Sequence, residues 1–185
     1  MRKAVFIDKD GTLVRNVPYN SDPALVTLER GAIEGLQLLH AHGYALVVAS
    51  NQSGIAHGYF SEEDFLVMME KMLDMLPVEL DGYFYCPHHP EGIVSPYAVT
   101  CGCRKPQPGL LLKAAGTLQI DLDMSWMIGD ILHDVEAGKR AGCRTVLIDN
   151  GGETEWDLSA IRRPDFIASD LLEAATLIIE NEDQN

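Results

Sequence analysis

The fold is decided by one stretch near the start of the chain, Ala4-Val5-Phe6-Ile7-Asp8-Lys9-Asp10-Gly11-Thr12. Its first four residues are apolar and predict a short buried strand. Residues i and i+2 of an extended backbone point to the same side, so Asp8 and Asp10 are expected to converge where this strand ends. Gly11 permits a sharp turn there, after which backbone N–H groups can face an anion. Because paired carboxylates need a cation or a proton between them, the stretch predicts either a metal site or a solvated acidic turn.

Strands and helices alternate along the rest of the chain. Further apolar runs predict strands at 44–49, 82–85, 126–128, 145–148 and 166–168, and helical periodicity predicts helices near 31–42, 61–76, 108–118, 134–141 and 170–179. This pattern predicts an α/β fold, a Rossmann-like three-layer sandwich whose mainly parallel sheet is covered on both faces. Polar motifs follow the first, second and fourth strands, so we expect a site at the carboxyl edge of the sheet. Residues 180–185 are expected to form a frayed acidic tail.

The bulk composition limits the classes of function. With 185 residues, the chain is expected to form one domain spanning 1–185. Its net charge of −14 argues against nucleic-acid binding, but it permits a small anionic substrate in a cleft with local cations. No apolar run approaches the length of a membrane span, and the first strand follows almost directly on Met1. We therefore expect a cytoplasmic, monomeric protein without a membrane partner.

A second carboxylate motif, Gly129-Asp130-x-x-x-Asp134, follows the fourth predicted strand. Asp134 lies one turn after Asp130 on the same helix face. If the first and fourth strands are neighbours, Asp130 joins Asp8 and Asp10 at the sheet edge. Carboxylate oxygens with room for water suit Mg²⁺, although the motif alone is also common at ordinary strand–helix junctions.

The long segment after the third predicted strand carries a set of soft metal ligands. Its spacing is Cys-x-His, twelve residues, then Cys-x-Cys, and the ligands would be Cys86, His88, Cys101 and Cys103. Three thiolates and one imidazole form a complete tetrahedral set for structural Zn²⁺; the alternative is free thiols beside a surface histidine. Residues 86–105, named the Cys-His loop below, end in Arg104 and Lys105. Binding zinc would therefore fix two cations near the sheet edge.

Four motifs in this order resemble those of the haloacid dehalogenase (HAD) superfamily of phosphotransferases: Asp8-x-Asp10-Gly11-Thr12, Ser50-Asn51, Lys105 and Gly129-Asp130-x-x-x-Asp134. The resemblance implies that Asp8 is the nucleophile that forms an aspartyl-phosphate and that Asp10 is the general acid and base. It places Mg²⁺ on Asp8, the backbone carbonyl of Asp10 and Asp130. Ser50 and Lys105 would hold the phosphoryl oxygens. Asp134 would orient metal-bound water or Lys105.

The Cys-His loop, in a chain without a large cap domain, resembles that of the heptose bisphosphate and histidinol phosphate phosphatases of this superfamily. The resemblance implies that Arg104 contributes to substrate recognition and that the pocket is lined by Asn16, Tyr19, Asn51, Gln52 and Ser53. It implies removal of the C7 phosphate of D-glycero-D-manno-heptose 1,7-bisphosphate, a sugar phosphate of lipopolysaccharide precursor synthesis. Histidinol phosphate is the alternative substrate, and a catalytically inactive zinc-containing binding module is the alternative from another class. Ile131 stands where a lysine is expected, which removes one cation expected near the second phosphate.

Overall fold

A computed structural model describes residues 1–182 of the chain. The strands are β1 (Ala4–Ile7), β2 (Ala45–Asn51), β3 (Gly82–Cys86), β4 (Trp126–Gly129), β5 (Arg144–Ile148) and β6 (Phe166–Ala168). The α-helices are α1 (Ala32–Ala41), α2 (Gly54–His57), α3 (Glu62–Asp74), α4 (Gly109–Leu118), α5 (Leu132–Ala141) and α6 (Leu171–Glu182). Short 3-10 helices lie at Pro23–Leu25, Leu122–Met124 and Ala160–Arg162. No helix within residues 1–182 is long and apolar enough to cross a membrane.

The six strands form one parallel sheet in the order β3-β2-β1-β4-β5-β6, which confirms the predicted α/β fold. β1 lies between β2 and β4, with Phe6 in register with Val47 on one side and Met127 on the other. The first and fourth strands are therefore neighbours, as the magnesium prediction required. The motifs that follow β1, β2 and β4 consequently meet at one sheet edge.

Alternate residues of β1 enter separate hydrophobic cores on the two faces of the sheet. Val5 and Ile7 belong to the core that includes buried residues of α1, α3 and α6, whereas Ala4 and Phe6 belong to the core beneath α4. All four β1 side chains are fully buried. A strand covered on both faces needs a continuous apolar run, which explains why the first strand was recognisable from the sequence.

The ends of α6 and β2 differ from the sequence prediction. The prediction of a frayed tail is wrong for residues 180–182, because α6 continues to Glu182 and Lys3 donates to both Glu182 carboxylate oxygens at 2.8 and 3.0 Å. Residues 183–185 of the predicted tail lie outside the described residues. Ser50 and Asn51 end β2 instead of lying in a loop, and the short helix α2 follows closely.

Candidate active site

The turn after β1 is held by backbone hydrogen bonds and requires glycine. Gly11 has a φ of +85° and donates its N–H to the carbonyl of Val14 at 2.8 Å. The N–H groups of Leu13 and Val14 both donate to the carbonyl of Lys9, at 3.0 and 2.9 Å. A Cβ at Gly11 would overlap the carboxylate of Asp130. The glycine therefore provides both the positive φ and the space that brings the β1 and β4 motifs together.

A buried ion cluster lies where these strands end. The ammonium nitrogen of Lys105 is 2.6 Å from Oδ1 of Asp8 and 2.6 Å from Oδ1 of Asp134. One carboxylate oxygen each from Asp8, Asp130 and Asp134 lies within 4.8 Å of the others. Three buried carboxyl groups thus face one ammonium, so the cluster carries surplus negative charge when all three are ionised.

Burial and like charges perturb these acids. Burial, together with the charges of Asp134 and Asp10, raises the pKa of Asp8 to about 7 against the opposing effect of Lys105. Burial and the charges of Asp8 and Asp134 raise the pKa of Asp130 to about 8. A bound cation would hold both groups ionised. The oxygen donors and their surplus charge therefore fit a hard divalent ion such as Mg²⁺.

The carboxylate of Asp10 contacts other partners than those of this cluster. Lys9 approaches its Oδ1 at 2.5 Å, and Nε2 of Gln52 donates to its Oδ2 at 3.0 Å. The same Gln52 nitrogen lies 2.8 Å from the hydroxyl of Ser50. The expected convergence of the two acids is therefore incomplete, because Asp8 and Asp10 contact different lysines.

Asn51 connects the end of β2 to the Cys-His loop. Its Nδ2 donates to the carbonyl of Lys105 at 3.0 Å, and the N–H of Lys105 donates to Oδ1 of Asn51 at 3.0 Å. Both polar ends of the Asn51 side chain are thus used to hold the backbone of Lys105. Asn51 also borders the cavity described next, where it is expected to contact substrate. It therefore combines that expected contact with holding the backbone of Lys105.

Two open cavities are lined by residues of the predicted site. The first, of about 290 Å³, is lined by Asp10, Asn16, Val17, Pro18, Tyr19, Asn20, Asn51, Gln52, Ser53, Gly54 and Phe60. At its rim the ring of Tyr19 packs edge-on against Tyr59, with centroids 4.6 Å apart. Arg104 lines the other cavity, with His89 and His133. Its Nη1 is buried and has no hydrogen-bond partner among residues 1–182.

The Cys-His loop brings its four predicted ligands together. The three sulfur–sulfur distances are 3.1 Å (Cys86–Cys103), 3.2 Å (Cys101–Cys103) and 3.4 Å (Cys86–Cys101). Nδ1 of His88 lies 3.3 Å from Sγ of Cys103 and 3.6 Å from Sγ of Cys86. A tetrahedral zinc ion with ordinary bond lengths would separate its ligands by about 3.5–3.8 Å. Most of the observed separations between these ligand atoms are slightly shorter than that. The three thiols and one imidazole nevertheless form a ligand set that fits a zinc ion.

Three residues near the site were not found by sequence reasoning. Nδ2 of Asn150 donates to the carbonyl of Gly11 at 2.6 Å, and the N–H of Leu132 donates to Glu153 at 2.6 Å. Asn150 and Glu153 both follow β5, so the polar residues after that strand were the sequence signal that could have identified them. Lys9 was the third, and its position between two acids was its signal.

Comparison with known proteins identifies relatives that match most of the chain. A family model described as HAD-hydrolase-like matches residues 102–174. The D-glycero-beta-D-manno-heptose-1,7-bisphosphate 7-phosphatase of Pasteurella multocida (strain Pm70) is 48% identical over 155 residues, which cover 82% of this chain and 84% of that protein. The enzyme of the same name from Escherichia coli (strain K12) is 43% identical over 152 residues, 80% of each chain.

Solved structures show the same relationship. A HAD-like phosphatase from Mesorhizobium loti matches with a TM-score of 0.85 and 34% identity, over 97% of this chain and 87% of that one. The D,D-heptose 1,7-bisphosphate phosphatase of B. bronchiseptica, complexed with magnesium and phosphate, matches with a TM-score of 0.78 and 26% identity, over 97% and 99% of the chains. The chain therefore belongs to the HAD-like phosphatase family that includes these heptose-1,7-bisphosphate 7-phosphatases.

Proposed function

We propose that this protein is a magnesium-dependent phosphatase that hydrolyses a sugar phosphate through an aspartyl-phosphate on Asp8. One observation carries the proposal: the ammonium of Lys105 lies 2.6 Å from the carboxylate of Asp8, beside two further buried acids. An ammonium so placed can neutralise the negative charge of an incoming phosphoryl group. Because Asp8, Asp10, Lys105 and Asp130 are all present, a catalytically inactive binding module is disfavoured.

The reaction divides into two displacements at phosphorus. In the first, the Asp8 carboxylate forms a bond to phosphorus while the bond to the sugar oxygen breaks, and Asp10 gives its proton to that oxygen. In the second, Asp10 takes a proton from water as the water oxygen attacks phosphorus. The bond to Asp8 then breaks and inorganic phosphate leaves. Ser50 and Lys105 hold the phosphoryl oxygens in both steps.

Two metal ions belong to the proposal. Asp8, Asp130 and the backbone carbonyl of Asp10 would hold Mg²⁺, and Asp134 supports the site through its contact with Lys105. When bound, the ion supplies positive charge that lets an anionic nucleophile approach an anionic phosphate. The Cys-His loop would hold structural Zn²⁺. Burial raises the pKa of the Cys86 thiol, so a cation is needed there to keep it as the thiolate.

We propose the C7 phosphate of D-glycero-D-manno-heptose 1,7-bisphosphate as the target. The relatives' names support this substrate, including its β anomer, over histidinol phosphate. Arg104, a cation that lines the second cavity, supports a substrate that carries a further anionic group. Asn16, Tyr19, Gln52 and Ser53 border the cavity in which the sugar would lie.

The cellular setting follows from this substrate. The enzyme would serve heptose supply for lipopolysaccharide precursors in the cytoplasm, where a reducing environment keeps the zinc-binding cysteines as thiols. The net charge of −14 disfavours nucleic acid as a substrate. We propose that it acts as a monomer without a membrane partner.

One kinetic comparison tests the assignment. kcat/KM is measured with Mg²⁺ for both heptose bisphosphate anomers and for histidinol phosphate. We expect the β anomer to be preferred, and a preference for histidinol phosphate would reject the heptose assignment. Asp8→Asn should keep the fold, measured by circular dichroism, and abolish turnover. Substantial activity in that variant would reject Asp8 as the nucleophile.

A further inference from the structure

Lys9 is a buried cation to which the reaction described above gives no task. Its side chain is only 2% exposed, although lysine is rarely buried unless it is paired. Its carbonyl accepts the N–H groups of Leu13 and Val14, which fixes the backbone around it. Its ammonium lies 2.5 Å from Oδ1 of Asp10. The chain therefore buries a charge beside the acid that moves protons.

The second oxygen of Asp10 is also held. Nε2 of Gln52 donates to Oδ2 at 3.0 Å and lies 2.8 Å from the Ser50 hydroxyl, so the amide itself is positioned. A carboxylate has about four lone-pair sites. Lys9 and Gln52 therefore leave lone pairs free on both oxygens. The Asp10 side chain remains 29% exposed and borders the 290 Å³ cavity.

We propose that Lys9 is a positioning residue that, with Gln52, holds the Asp10 carboxyl toward the oxygen of the leaving group. The inference rests on the proposed function of Asp10. The buried cluster of Asp8, Asp130 and Asp134 has an ammonium of its own, that of Lys105. Lys9 offers Asp10 an ion pair separate from that between Lys105 and Asp8. The acid that delivers the proton is thereby kept apart from the acid that attacks.

Dependence on the leaving group distinguishes this task from a structural one. kcat/KM covers the steps up to release of the leaving group, so it excludes hydrolysis of the phosphorylated Asp8. A sugar alkoxide is a poor leaving group that needs the proton of Asp10, whereas p-nitrophenolate leaves without one. General acid catalysis contributes about 10²–10⁴-fold. Misplacing Asp10 should therefore slow the sugar phosphate far more than p-nitrophenyl phosphate.

The experiment measures kcat/KM of the Mg²⁺- and Zn²⁺-loaded enzyme on heptose bisphosphate and p-nitrophenyl phosphate. For Lys9→Met we expect a loss of about 10–100-fold on the sugar and under about 3-fold on the aryl phosphate. Lys9→Arg, which keeps the charge, should recover part of the loss. The matched control is Lys139→Met, which removes a lysine that pairs with Asp165 at 2.6 Å. It should leave the ratio of kcat/KM for the two substrates unchanged.

Parallel variants separate this inference from the proposed function. If Asp10→Asn slows both substrates equally, Asp10 is not the general acid and its role in the proposed mechanism fails. If Asp10→Asn is selective for the sugar but Lys9→Met is not, only the role of Lys9 is overturned. Should Lys9→Met fail to fold, Lys9→Gln and Gln52→Met replace it. An equal loss on both substrates in these variants overturns the inference.

Discussion

Replacing Lys105 with methionine should strongly destabilise the metal-free protein. The Lys105 side chain is 3% exposed and its ammonium contacts two buried carboxylates at 2.6 Å. Removing one partner of a buried ion pair costs about 3–5 kcal/mol, because the remaining charge is left uncompensated. For a chain of this length, 1 kcal/mol corresponds to about 2–4 °C in Tm, so we expect a decrease of roughly 6–20 °C.

The assay is urea and thermal unfolding in EDTA near pH 8, repeated with saturating Mg²⁺. Magnesium should stabilise Lys105→Met more than the wild type, because three carboxylates then lack their ammonium. Combining Lys105→Met with Asp134→Asn should cost less than the sum of the single changes, since the second removes a repelling charge. Lys71→Met, at an exposed position of α3, is the control.

Two results would refute this reasoning. One is a metal-free Lys105→Met protein whose free energy of unfolding lies within about 1 kcal/mol of the wild type, well below the cost expected for a broken buried pair. The other is strict additivity of Lys105→Met and Asp134→Asn. Either would show that the ammonium does not balance the buried acids.

In metal-free protein, the free energy of unfolding should fall as the pH rises from about 5.5 to 8.5: the raised pKa values of Asp8 and Asp130, about 7 and 8, mean that the native state keeps protons that the unfolded state has lost. Urea unfolding across this range measures the effect, and a flat profile would contradict it. Chelating zinc should increase hydrogen exchange across residues 86–105 and lower kcat/KM with Mg²⁺ in excess; unchanged exchange and activity would show that the loop needs no metal. Asn51→Leu should lose about 1–3 kcal/mol of stability, from two hydrogen bonds of about 0.5–1.5 each, and lower kcat. Urea unfolding and steady-state kinetics check it, and an unchanged kcat would mean that Lys105 does not depend on Asn51.

The elements that were predictable are those whose signal is local. A strand buried on both faces must be apolar throughout, so β1 was visible as a four-residue run. The spacing of Cys86, His88, Cys101 and Cys103 was similarly sufficient to predict that these four side chains meet, because short separations in sequence keep them close in space. By contrast, the magnesium prediction assumed that β1 and β4 are neighbours in the sheet. Only the structure shows that they are.

What could not be predicted depends on contacts between distant segments. The end of α6 is acidic and reads as a tail, yet Lys3 holds Glu182 across 179 positions of sequence. Lys9 follows a strand, and from the sequence it would be expected to be solvated. In the structure it is buried beside the turn at Gly11. A hydrophobic pattern reports burial of apolar groups, and it carries no information about a cation buried by pairing.

The two acids of the first motif show how environment separates residues of the same type. Asp8 lies among buried carboxylates and pairs with Lys105, which arrives from the Cys-His loop. Asp10 remains partly exposed at the cavity and pairs with its own neighbour, Lys9. A nucleophile must be held ionised next to a metal ion, whereas a proton carrier must reach the leaving group. Each acid thus has its own lysine. A change at Lys105 should therefore slow the attack on phosphorus with every substrate. A change at Lys9 should lower kcat/KM mainly for substrates whose leaving group needs a proton.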